Sequence, residues 1–151
     1  MSSKFRIKYP IARSTHARSL GWATAILASS NSCDRPFKYA REVLAPAIRH
    51  EQIGFVSDEY NQDIAFFIWA TLHSYTIQEI EKKKSYPLYE SDWSELGPVS
   101  LIDLVSTKKL SRTQIELIYS ETIKKSKTIT EHLLRLKNNF SFKKVKVGVL
   151  Q

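Results

Sequence analysis

Two runs rich in branched and aromatic residues, 52–57 (QIGFVS) and 63–72 (DIAFFIWATL), flank the polar stretch DEYNQ. Side chains of that kind favour a pleated, buried surface, and a short polar spacer closes two such runs into an antiparallel hairpin. The second run is apolar from Ile64 to Ala70, so it predicts a strand buried on both faces.

Helical patterns lie on either side. Residues 20–29 form an apolar helical body with Ser14 or Ser19 as candidate caps, and PFKYAREVLAPAIRH, from Pro36, predicts a second helix. Its Tyr39, Val43 and Leu44 share a face, and Pro46 disturbs its last turn. Residues 77–84 fit a helix or a strand, with the charged EIEKKK as an exposed end. GPVSLIDLVS predicts a further strand, with Val99, Leu101 and Ile102 apolar and Asp103 interrupting the run. Residues 111–137 carry Ile115, Ile118, Ile123, Ile129, Leu133 and Leu136 near helical spacing, and 140–149 (FSFKKVKVGV) alternates as a strand with one basic face. Two helices, a hairpin, a strand, a helix and a strand predict a mixed α/β (α+β) architecture, with helices on a central, mostly antiparallel sheet. Neither a repeat nor a low-complexity linker interrupts the 151 residues, which suit a single domain, 1–151, with 1–13 as a candidate flexible arm.

The net charge of +8 is unevenly placed. Residues 1–103 hold twelve basic and twelve acidic side chains, and 104–151 hold eleven basic and three acidic. A field of that sign attracts an acidic partner, whether nucleic acid, anionic lipid or protein. The tail carries no recognisable nucleic-acid motif and no aromatic stacking platform beyond Phe140 and Phe142, so nucleic acid is not favoured. No stretch approaches the roughly 20 apolar residues of a membrane span, and no secretion signal is read at the N-terminus, so a soluble, cytoplasmic protein is expected. One cysteine excludes an internal disulfide and a Cys-based zinc site, and no histidine pair has metal-ligand spacing, so no metal or bound cofactor is expected.

Two residue types invite chemistry. Cys33 follows the apolar helix among Ser29, Ser30 and Ser32, where a helix end and hydroxyls can tune a thiol toward thiolate; the alternative is a small buried hydrophobe. Asp103 sits inside an apolar strand, and desolvating a carboxylate costs several kcal/mol unless it is paired or hydrogen-bonded. His16, just ahead of the helix, is either a base that reaches the site or a surface residue, while His50, His73 and His132 read as structural.

Four motifs, LGWATAILASSNSCDRP, LAPAIRHEQ, DIAFFIWATL and DWSELGPVSLIDLV, together resemble the RTX toxin-activating lysine acyltransferases, the haemolysin-activating type. The likeness spans about 20–105; in DIAFFIWATL, Ala65, Trp69, Ala70 and Leu72 stand in places that match that family's motif. It implies a Gcn5-related N-acyltransferase-like fold. It also implies transfer of a fatty acyl group from acyl carrier protein to internal lysines of a partner protein, a protoxin or similar polypeptide. The family's catalytic aspartate falls on Asp103, its catalytic histidine on Cys33, a contributing tyrosine on Phe66, and a serine on Ser30. Cys33 replaces the expected proton acceptor and Phe66 lacks the tyrosine hydroxyl.

A mechanism for this chain therefore has Cys33 attack the carrier thioester, Ser30 and backbone N–H groups hold the oxyanion, and Asp103 assist deprotonation of the acceptor lysine. Phe66 and Trp69 are core residues or the wall of an acyl slot. Lys108, Lys109 and Arg112, with Lys124, Lys125, Lys143, Lys144 and Lys146, are candidate docking cations for the acidic carrier. Homodimerisation is left open. The competing readings are an inactive relative that binds carrier or substrate, and a basic nucleic-acid-binding protein.

Overall fold

A computed structural model of the chain describes residues 5–10, 15–30, 37–83, 90–93, 95 and 99–124. They form four strands, β1 (Arg6–Lys8), β2 (Ile53–Ser57), β3 (Asp63–Thr71) and β4 (Val99–Ser106), in one antiparallel sheet of order β1-β2-β3-β4. The flanking helical segments are α1 (His16–Ser29), α2 (Phe37–Tyr39), α3 (Ala45–Arg49), α4 (Ser74–Lys83) and α5 (Arg112–Lys124). The described residues fall into two compact units, one within Met1–Ile68 and Val105–Lys109, the other within Trp69–Leu104 and Leu110–Gln151.

The first unit is organised by the expected hairpin. Asp58 Oδ1 accepts the Tyr60 and Gln62 N–H groups, both at 2.9 Å, and Asn61 takes a left-handed φ of 62°. A short carboxylate that mimics a backbone turn, followed by a residue tolerant of positive φ, closes the strands with few alternatives. The ladder then pairs Ile53 with Ile68, Gly54 with Phe67, Phe55 with Phe66 and Val56 with Ala65, and shifts by one residue at Ser57. Phe55, Phe66, Phe67 and Ile68 are fully buried, the two-sided burial that the apolar run predicts. At the other edge, three residues of the N-terminal stretch expected to be an arm form β1, with Arg6 opposite Ser57 and Lys8 opposite Phe55. Three residues, two cations flanking Ile7, carry too little pattern to announce a strand.

Helix α1 buries Ser19, Ala23 and Ile26, the i, i+4, i+7 stripe of one face, and sets the Trp22 ring edge-on to Phe55 at 5.5 Å. Its N-cap is Thr15, which makes no side-chain capping bond; Ser19 lies inside the helix, and Ser14 is outside the described residues. The second predicted helix exists but changes pitch: α2 runs into a π-helical turn, Ala40–Leu44, and then into α3, with the Ala45 N–H donating to Ala40 O. Pro46 has no N–H to give, so the regular ladder is interrupted there, and a wider turn upstream keeps Tyr39, Val43 and Leu44 buried. Beyond α3 the Gln52 N–H reaches Ala47 O at 2.8 Å and the Glu51 N–H reaches Ile48 O at 3.1 Å, a Schellman closure with Glu51 at φ 56°.

In the second unit the ambiguous segment is helix α4. His73 starts it, its Nδ1 accepting the Tyr75 N–H at 3.2 Å, in line with the structural role read for it. The Glu95 carboxylate accepts the His73 N–H at 2.6 Å and the Thr76 hydroxyl at 2.9 Å, and the Glu95 N–H donates to Thr71 O at 3.0 Å. Trp93, at the end of a 3-10 turn (Glu90–Trp93), is almost wholly buried. Helix α5 begins with a capping box: the Gln114 N–H donates to Ser111 Oγ at 3.1 Å and the Ser111 N–H to Gln114 Oε1 at 2.8 Å. It buries Ile115, Ile118, Tyr119 and Thr122, while Ile123 of the predicted apolar stripe is half-buried. The segments 125–137 and 140–149 lie outside the described residues.

Candidate active site

Asp103 stands five residues into β4 and has no exposed surface, as have its neighbours Leu101, Ile102 and Leu104. Its Oδ1 accepts the Leu104 N–H at 2.9 Å, a hydrogen bond that offsets part of the cost of burying the polar side chain. A carboxylate in the interior of an eight-residue apolar strand is what the sequence pattern led one to look for.

Ser30 belongs to the first unit. It leaves α1 in extended conformation (φ −83°, ψ 134°), donates its N–H to Leu27 O at 3.2 Å, and is buried. The stripe Ser19, Ala23, Ile26 and Ser30 repeats every three or four residues, so the helix that anchors Ser30 also fixes its facing. Cys33 lies outside the described residues. His16 opens the same helix, and fourteen steps of helical rise separate it from Ser30 by about 21 Å along the axis. That distance removes it as a base for chemistry at the Ser30 end. Its Nε2 is shielded from solvent with no hydrogen-bond partner among the described residues, and the side chain is half-buried rather than on the surface.

Phe66 is fully buried, its ring tilted against Phe55 at 6.4 Å between centroids, and Trp69 is nearly so. Each is core in its own unit. Of the docking cations, Lys108 and Lys109 are exposed and have no carboxylate partner among the described residues. Arg112 Nε lies 3.1 Å from Glu116 Oε1 and Lys124 Nζ 3.0 Å from Glu121 Oε1, which partly neutralises both. Lys125, Lys143, Lys144 and Lys146 lie outside the described residues. Among the described residues no group of three or more His, Cys, Asp or Glu side chains could hold a metal ion, and no helix is long and apolar enough to cross a membrane.

Two features escaped the sequence reading. One is the Glu95 clamp on the start of α4, a pairing across more than twenty residues that no local pattern announces. The other is the pair of cations at Trp22, Lys8 and Arg18, whose signal is visible in hindsight: Lys8 follows Arg6 by two on a strand, and Arg18 stands four before Trp22 on a helix. Compared with known protein families, curated proteins and solved structures, the chain has no significant match.

Proposed function

We propose that the chain is a protein-lysine acyltransferase with a Gcn5-related N-acyltransferase-like fold, moving a fatty acyl group from acyl carrier protein to lysines of a partner polypeptide in the cytoplasm. The observation that carries this reading is Asp103, a carboxylate wholly inside an apolar strand at the place where the resemblance puts the catalytic aspartate. In the first step the Cys33 sulfur attacks the carrier thioester carbonyl, the new C–S bond replaces the old one, and the carrier thiolate leaves with the proton Cys33 gave up. Ser30 steadies the oxyanion. In the second step Asp103 takes a proton from the lysine ammonium and passes it to solvent. The free amine attacks the Cys33 thioester, and the Cys33 thiol leaves with the second amine proton.

The test uses full-length protein, acyl-loaded carrier and a lysine-bearing acceptor. Asp103→Asn is expected to lower transfer by about 10²–10⁴-fold, the usual span for loss of a general base, without lowering the melting temperature. Intact mass is expected to show an acyl adduct that hydroxylamine removes and that Cys33→Ser abolishes. Near-normal turnover by Asp103→Asn would sink its role as base. Transfer that survives Cys33→Ser, with no adduct on the wild type, would sink the covalent route. Carrier binding without any transfer would leave a binding module in place of an enzyme.

A further inference from the structure

The register of the edge strand places Arg6 and Lys8, two residues apart, on one face of the sheet, since Lys8 is opposite Phe55 and Arg6 opposite Ser57. Trp22 of α1 packs on that same face against Phe55. Lys8 Nζ lies 5.3 Å from the centroid of the Trp22 ring, and the Arg18 guanidinium lies 6.0 Å from it. Lys8 is also ion-paired to Asp63 at 2.9 Å. Among the described residues neither Arg6 nor Arg18, both exposed, has a carboxylate partner. Two cations thus flank one indole, a third lies two residues along the same strand face, and one carboxylate pairs with Lys8. Like charges crowded in this way repel, and an anion arriving from outside relieves the repulsion. Lys8 is held by two contacts and Arg18 by its helix, so the arrangement exists before a partner binds.

We propose that Lys8 and Arg18 at Trp22, with Arg6 on the same strand face as Lys8, form the docking surface for an acidic protein. The partner's carboxylates would meet the two free guanidiniums, whose planar forks suit bidentate pairing. A protein fits better than a nucleic acid. The Trp22 ring is engaged by cations and by Phe55, so it is no open platform for stacking a base. Resting on the acyltransferase reading, the acidic protein is the acyl carrier, which would dock here rather than at Lys108, Lys109 and Arg112.

The experiment is calorimetric binding of the full chain to purified acyl-loaded acyl carrier protein at low and high salt, with acyl transfer by the wild type measured alongside. The double variant R6E/R18E is expected to bind at least about tenfold more weakly and to lose much of its salt dependence. R6K/R18K keeps most of the affinity, and thermal melts report whether both variants are folded. Should R6E/R18E misfold, the milder Arg18→Gln is read in its place. Wild-type affinity in a folded R6E/R18E, or loss of binding only in K108E/K109E, overturns the docking surface while transfer by the wild type leaves the enzyme reading standing. No carrier binding by the wild type overturns the docking surface, and no transfer overturns the enzyme. Tighter binding of a DNA oligonucleotide than of carrier through the same arginines overturns the choice of an acidic protein.

Discussion

Gly54 lies directly across the ladder from Phe67, and the Phe67 ring folds back over it so closely that a Cβ at position 54 would stand 2.5 Å from Phe67 Cε1 and 3.0 Å from Tyr9 Cε1. The ring also meets Tyr9 edge-on at 6.2 Å, so it has little room to retreat. Gly54→Ala is therefore expected to destabilise the protein by about 1–3 kcal/mol, the usual cost of overpacking. Denaturant unfolding of Gly54→Ala, Phe67→Leu and the double variant checks this. The second substitution should recover part of the loss, and strict additivity would show that the two sites do not touch.

Glu51 pays a conformational penalty that glycine would not, since it occupies the left-handed position that closes α3. Glu51→Gly is expected to raise stability by about 0.5–1 kcal/mol, visible as a higher urea midpoint at unchanged slope. A lower midpoint would mean that contacts of the Glu51 side chain outweigh backbone strain.

Glu95 joins three groups at the start of α4: the His73 N–H, the Thr76 hydroxyl and, through its own N–H, Thr71 O. A carboxylate beside a helix N-terminus also complements the helix dipole. Glu95→Ala is expected to cost about 1–3 kcal/mol, and Glu95→Gln less, because the amide oxygen still accepts. Hydrogen exchange should quicken first at the amides of α4; exchange that quickens uniformly would contradict a local clamp.

Burial raises the Tyr119 phenol well above the ordinary tyrosine range, because the phenolate would lose its hydration. In the unfolded chain the same group ionises near pH 10. Its contribution to stability is whole below that pH and is lost as pH rises beyond it, since the unfolded state then releases a proton that the folded state keeps. Wild type should lose stability between about pH 10 and 11 more steeply than Tyr119→Phe. Parallel slopes for the two proteins would contradict a buried phenol at this position.

The sequence made local and repetitive features visible, and the rest depended on distance. The β2–β3 hairpin was legible because residues 52–72 carry both the strand residues and the turn that joins them. Asp103 stood out because a carboxylate is chemically costly among Val99, Leu101 and Ile102. The start of α5 was legible too, and Ser111 with Gln114 would have marked it more sharply as a capping pair. By contrast, β1 is three residues long and owes its existence to pairing with β2, almost fifty positions away. The π-helical turn reflects how Tyr39, Val43 and Leu44 must all reach the interior while Pro46 withholds a donor, a compromise that helical periodicity averages out. Phe66 and Trp69 illustrate the opposite limit: an aromatic residue in a buried strand looks the same in sequence whether it fills a core or lines a slot.

The chain passes from one compact unit to the other three times, twice in mid-strand, between Ile68 and Trp69 in β3 and between Leu104 and Val105 in β4, and once between Lys109 and Leu110, just ahead of α5. Modules that are shuffled by recombination are joined at loops, where a seam costs no ladder hydrogen bonds. Here a breakpoint at either mid-strand boundary would cut a strand in two, so neither unit is an exchangeable cassette.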